Sequence, residues 1–141
     1  MSNPKSNSRL AVVQALYSLN IDSFDSFENR EDILSHTIAE IKADGSKVKN
    51  NFCKQIFNFA LDEEESIKFI IEKYLDKTKK VEELNPLLYS CLRGAFAELL
   101  YDKETSRAII ISEYIKITED FFSKTEAGFV NAVLDRFVKA Q

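Results

Sequence analysis

The sequence predicts an all-α fold, a compact bundle of about seven helices in two packed layers. Three observations carry this. Only three Gly and two Pro occur in 141 residues, so the tight turns of a β-sandwich or barrel cannot be supplied. Hydrophobic residues make up 45% of the chain, with 11 Phe, 5 Tyr and no Trp, which suffices for the core of one ordinary domain. Those residues recur at helical spacing in successive segments bounded by cap and stop signals.

Residues 1–8 are Ser-, Asn- and Pro-rich with a single Lys and read as a flexible basic arm preceding a single domain at 9–141. Leu10, Val13, Leu16, Tyr17 and Ile21 then follow a helical stripe. A polar break from Asp22 to Asn29 leads to a second helix near 30–43, with Ile33, Leu34, Ile38 and Ile41 on one side and Gly45 as stop signal. Phe52, Ile56, Phe57 and Ala60 mark a third helix. Asp62 is placed to cap the fourth, whose Ile67, Ile70, Ile71, Tyr74 and Leu75 run i, i+3, i+4, i+7, i+8. Lys77, Lys79 and Lys80 are expected to close it at its negative end. Asn85-Pro86 pairs a capping residue with Pro at the first helical position. The fifth helix that follows has a wide apolar face, which predicts a central, buried element. Gly94 inside it costs about 1 kcal/mol relative to Ala, and implies close approach of another helix. Ile109-Ile110-Ile111 has strand composition, yet Tyr114, Ile115 and Thr118 continue a helical period, so a sixth helix is expected near 106–121. Ser123-Lys124-Thr125-Glu126 matches a capping box at the start of the last helix.

The same composition excludes several functions. No GxGxxG or GxxxxGK[ST] can be written, which removes a Gly-rich phosphate loop. No apolar run approaches about 18 residues, and MSNPKSNSRL has no apolar signal region; a cytoplasmic protein without membrane contact is expected. Cys53 and Cys91 match no metal spacing and read as free buried thiols, with a disulfide as the minor alternative. His36 is the only histidine, so there is no multi-His metal site and no basis for a His-dependent triad. Glu98 lies between Phe96 and Leu99 on the widest apolar face and is expected to form a structural ion pair with Arg93 or Arg107. No residue set meets the geometric requirements of catalysis, so no enzyme and no metal are expected. Binding is the better class. Net charge is −4, which argues against general affinity for nucleic acid. Residues 1–21, however, contain Lys5 and Arg9 and no acid, which reads either as a solvated tail or as a small anion-facing edge. Tyr17 lies two turns after Arg9, so the two are placed to share an edge of the first helix. Cations along a backbone together with an aromatic face are the elements of single-strand recognition.

Phe129-Val130-Asn131-Ala132-Val133-Leu134-Asp135-Arg136 resembles the FVNGVLDK-type signature of the NusB family of bacterial transcription antitermination factors. Val13-Gln14-Ala15-Leu16-Tyr17 is similar to that family's AVQALY segment, and Leu92-Arg93 with Ala97-Glu98-Leu99 to its LR…YEL helix. Ser112-Glu113 falls where relatives have an NE pair. The resemblance covers both ends and most of the second half. It implies an all-α protein without catalytic activity or cofactor. The implied ligand is boxA, a short single-stranded RNA element, bound jointly with a small-subunit ribosomal protein (NusE) within an RNA polymerase antitermination complex that supports ribosomal RNA transcription. It also implies RNA-facing roles for the basic residues Lys5 and Arg9, for Tyr17, and for Phe129. Apart from the resemblance, Lys124 is a further candidate cation for RNA if it lies on the same side. Arg136 and Lys139 would add to these only if they lie on the same side. The chain departs from the family pattern at Gly128, often Lys in relatives, at Ala132, at Thr105-Ser106 where Pro is usual, and at Leu88-Tyr89 where Glu is frequent. Some relatives pair as homodimers that hide the RNA face, and the sequence leaves the oligomeric state open.

For single-stranded nucleic acid the log–log salt slope is about −0.7 per neutralised phosphate, so two cations give only about −1.4. An acidic chain with so few cations is expected to bind RNA as a co-binder, with the partner supplying effective concentration. Two other readings remain. One is the helical RNA-binding domain of an rRNA methyltransferase, which would need a long catalytic domain with a nucleotide-binding glycine motif. The other is a helical protein-interaction module with reduced RNA binding.

Overall fold

The helix α5 (Pro86–Tyr101) is the element around which the others pack, and its sequence shows why. Asn85 accepts hydrogen bonds from the Leu87 and Leu88 amides at 2.8 and 3.3 Å, and Pro86 fills the first helical position, where no donor is needed. Leu88 and every residue from Ser90 to Leu99 are buried. Full burial of a side chain such as Leu92 or Phe96 stabilises by about 1.5–3 kcal/mol. Gly94 has the predicted reason. A Cβ there would stand 2.9 Å from Cε1 of Tyr114 and 3.4 Å from Cγ2 of Val13, so two neighbouring helices meet at this point.

The structure is a computed structural model and describes residues 3–22 and 27–141. Among those residues it has seven α-helices, a short 3-10 turn at Val81–Glu83, and no strand. The helices other than α5 are α1 (Pro4–Asp22), α2 (Phe27–Lys42), α3 (Asn50–Asp62), α4 (Glu64–Tyr74), α6 (Arg107–Phe121) and α7 (Lys124–Lys139). Helices α1, α2 and α3 pack on one another as one layer; α6 packs on α7 and α7 on α4 as a second, and α5 touches α1, α3, α4, α6 and α7. Residues 23–26 of the polar break expected from Asp22 to Asn29 lie outside the described residues; the rest of it is corrected, since Asp22 ends α1 and α2 begins at Phe27 rather than near residue 30. Among the described residues no helix is long and apolar enough to cross a membrane. Cys53 and Cys91 are free buried thiols.

The flexible arm expected at residues 1–8 is corrected for residues 4–8. Helix α1 begins at Pro4, and Asn3 caps it by accepting from the Lys5 amide at 2.7 Å. Asn7 and Ser8 are buried. Asn7 Nδ2 donates to the Lys47 carbonyl at 2.9 Å, and Ser8 Oγ accepts from the Lys49 amide at 2.8 Å. The small polar residues that suggest disorder instead satisfy the backbone of the loop between α2 and α3, which cannot be buried unpaired.

Two end signals are also corrected. Asp62 does not cap α4; the capping position is Glu63, without a side-chain bond, and Asp62 pairs with Arg30 at 2.8 Å. Helix α4 stops at Tyr74 because Leu75 turns extended and Asp76 accepts from the Thr78 amide and hydroxyl at 3.0 and 2.9 Å, closing a local turn. Lys77, Lys79 and Lys80 therefore lie beyond the helix, and Lys73 is the cation of its last turn. The capping box of α7 forms as expected, with Ser123 and Glu126 bonded reciprocally.

Candidate nucleic-acid interface

The cations of α1 have different environments. Arg9 points inward, 3% exposed. Its Nε and Nη2 donate to both oxygens of Glu98, at 2.8 and 2.7 Å, and Nη1 donates to Glu113 at 3.0 Å. The Tyr114 hydroxyl donates to Glu98 at 3.0 Å, and the Ser6 hydroxyl to Glu113. Burial works against the Arg9 charge, but the hydrogen bonds and charge of Glu98 override it and raise its pKa. Burial, reinforced by the Glu98 charge, pushes the Tyr114 phenol well above its ordinary value. The RNA-facing role expected of Arg9 is thus corrected: this guanidinium is held by two carboxylates beneath the surface. Position accounts for it, because Arg9, Val13 and Leu16 recur at i, i+4 and i+7 on the buried face of α1. The partner expected for Glu98 changes as well, since Arg93 pairs with Glu64 at 3.2 Å and Arg107 lies over the Phe137 ring at 6.0 Å.

Lys5 stays at the surface of the first turn, its ammonium 5.4 Å from the centre of the Phe52 ring. Tyr17, partly exposed, lies twelve residues further along α1, about 18 Å away along the axis. Phe129 is partly exposed on α7, and the Lys79 ammonium sits over its ring at 5.1 Å. Lys124, exposed, opens α7 and lines a 730 Å³ groove between α6 and α7 with Ile111, Ile115 and Gly128. Lys124 and Phe129 are five residues apart, about 140° round the helix, so α7 directs them to different sides. Of the further cations, Arg136 donates twice to the Tyr74 carbonyl, at 3.0 and 2.8 Å, and Lys139 pairs with Asp135 at 3.0 Å.

Lys5, Tyr17, Lys124 and Phe129 are therefore spread over α1 and α7 rather than gathered at one point. Sequence reasoning missed Lys79, which touches one of them. The available signal is the Lys77-Thr78-Lys79-Lys80 run, which lies beyond the end of α4 and forms an exposed surface instead of a helix end. Among the described residues no group of three or more His, Cys, Asp or Glu side chains could hold a metal ion. Burial pushes the Cys53 thiol up to about 12 and the Cys91 thiol up to about 11, which removes nucleophilic thiolate at neutral pH.

Comparison with known proteins is consistent along the whole chain. A transcription antitermination protein NusB of Rickettsia bellii is 29% identical over 142 residues, covering 95% of this chain and 89% of the relative. The protein of the same name from Hyphomonas neptunium is 32% identical over 140 residues, covering 92% and 86%. Among solved structures, T. maritima NusB superposes with a TM-score of 0.79 at 26% identity, covering 99% of this chain and 93% of that one. The NusB chain of a complex of antitermination factors NusB and NusE with dsRNA has the same fold, with a TM-score of 0.83 at 22% identity and full coverage of both chains. The family model described as the NusB family matches residues 6–139, so this chain belongs to the NusB family.

Proposed function

We propose that this chain is a transcription antitermination factor that binds boxA-type single-stranded RNA jointly with a small-subunit ribosomal protein (NusE). It acts by binding, not catalysis, in the cytoplasm, as part of an RNA polymerase antitermination complex that supports ribosomal RNA transcription. The observation that carries the reading is the family match over residues 6–139. The solved complex of a NusB with NusE and dsRNA, on the same fold, supports it. So does the surface chemistry, since Lys5, Tyr17, Lys124 and Phe129 are all at least partly exposed.

With Arg9 bonded to Glu98 and Glu113, α1 keeps one cation for phosphate, worth a salt slope of about −0.7. That strengthens the requirement for a partner. RNA binding measured with and without the ribosomal protein tests this, with boxA as a single strand and as a duplex. Weak binding by the chain alone and tight, strand-selective binding by the pair are expected. Tight binding by the isolated chain, or no binding by the pair, overturns the proposal. The burial of Arg9 also favours a second reading, a protein-interaction module with reduced RNA binding. Lys5→Ala separates the two: the RNA reading expects weaker joint binding and a slope shallower by about 0.7, and the module reading expects no change.

A further inference from the structure

We infer that the connection between α4 and α5 is an RNA-backbone site, in which Lys77, Lys79 and Lys80 take phosphates of a single strand while Phe129 stacks one of its bases. This rests on the function proposed above and assigns it a surface outside α1.

Four observations support the site. The first is proximity: the Lys79 ammonium lies 5.1 Å from the centre of the partly exposed Phe129 ring. Ammonium and aromatic face side by side are what a nucleotide needs, the ring for its base and the cation for its phosphate. Lysine carries its charge on a flexible four-carbon stem, so the ammonium is free to leave the ring for a phosphate when a base arrives. The second is order. Asp76 accepts from Thr78 N and Oγ1, the Lys79 amide donates to the Asp76 carbonyl at 2.9 Å, and the Lys80 amide donates to Glu83 at 3.0 Å. The lysines thus project from a folded turn. The third is its attachment to the helix that carries Phe129. Arg136 of α7 donates twice to the Tyr74 carbonyl, and the Tyr74 and Phe137 rings meet edge-on at 5.7 Å.

The fourth is charge. Of the acids in this stretch only Glu82 is paired with a cation, Lys68 at 3.2 Å. Asp76 and Glu83 bond neutral groups of Thr78 and Lys80 and keep their charge, so the stretch as a whole is only weakly positive. Lys77, Lys79 and Lys80 are exposed and form no ion pair among the described residues. Arg9, Lys54, Arg93, Lys116 and Lys139 are all paired. On an acidic body this connection therefore offers three unpaired cations in four consecutive residues, beside an aromatic face.

The test is boxA RNA binding by the full chain with the ribosomal protein over a series of salt concentrations. Wild type is compared with Lys77→Ala/Lys79→Ala/Lys80→Ala and with the matching triple Arg variant. At about 0.7 per phosphate, the Ala variant should bind more weakly with a slope shallower by about 2, and the Arg variant should keep the wild-type slope. All three positions are exposed, and an unchanged thermal melt confirms that the variants fold. If wild type binds boxA and the Ala variant binds with the same affinity and slope, this inference is overturned and the proposed function stands. If the Ala variant keeps its RNA slope but loses the ribosomal protein in the absence of RNA, the segment docks protein and the inference is equally overturned. If wild type with its partner ignores boxA, the proposed function falls and takes the inference with it.

Discussion

Gly94 and Gly128 both sit inside helices, and their surroundings make opposite predictions. A methyl group at Gly94 would meet Cε1 of Tyr114 at 2.9 Å. That ring cannot yield easily, because it is fully buried and its hydroxyl is bonded to Glu98. Overpacking costs about 1–3 kcal/mol, against a gain in helix propensity of about 1 kcal/mol. Nothing lies within 4 Å of the corresponding position at Gly128. Gly94→Ala should therefore lower the midpoint of chemical denaturation, and Gly128→Ala should raise it by the equivalent of about 1 kcal/mol. A stabilising Gly94→Ala would mean that α1, α5 and α6 are not in contact there. The same three helices hold the buried Arg9–Glu98 pair. Such a pair adds little net stability once desolvation is counted, but removing one partner costs about 3–5 kcal/mol, because it leaves the other charged and unpaired. Its effect is to fix how α1 sits on α5, and with it the positions of Lys5 and Tyr17.

At the scale of the element, helix starts depend on a few adjacent side chains, which gives a direct test of which cap is real. Asn85 satisfies two amides of α5, so Asn85→Ala should cost about 1 kcal/mol of stability. Asp62 makes only an exposed ion pair with Arg30, so Asp62→Ala should change stability by less than about 1 kcal/mol. Equal losses in urea denaturation would show that Asp62 caps after all. The same distinction explains what was legible in the sequence. Asn85-Pro86, the Ser123–Glu126 box and the helical period through Ile109–Ile111 are local patterns, and each folds as its spacing predicts. The wide apolar face of α5 and the glycine within it foretold a central helix crossed closely by others. Pairings across the fold were not legible. Arg9 and Glu98 are 89 positions apart, and only the shared face of Arg9, Val13 and Leu16 hinted that the cation turned inward. Ser6, Asn7 and Ser8 read as an arm because the partners they satisfy, Glu113 and the loop at 47–49, belong to other parts of the chain. Phe129 stands out through family resemblance and Tyr17 through both that and its spacing from Arg9, whereas Lys79 needs the folded turn after α4 to bring it over the ring.

For the molecule as a whole, the charge cluster joining α1, α5 and α6 makes stability depend on pH, and the sign follows from Glu113. Burial alone would raise its pKa, but the Ser6 hydroxyl, Lys116 and the Arg9 charge outweigh this and hold it below its ordinary value of 4.5. A carboxylate with a lowered folded pKa binds fewer protons folded than unfolded over that interval. Its stabilisation is complete above the unfolded pKa and is lost as pH falls through the folded one. Stability should therefore be flat near neutrality and decline below pH 4.5. Glu113→Gln should be less stable at pH 7, because Arg9 loses part of its charge compensation, yet should lose less on acidification. Other lowered carboxylates contribute to the acid limb in both proteins: Asp76 through Thr78, Asp102 through Thr105 and Glu126 through Ser123. These are bonds within single turns, so the difference between the two curves isolates the tertiary contribution of Glu113. Urea denaturation of both proteins from pH 7 down to about pH 3 measures it. Converging curves are the expected result; parallel curves would mean that Glu113 is not the group that pins α1 to α6 in acid.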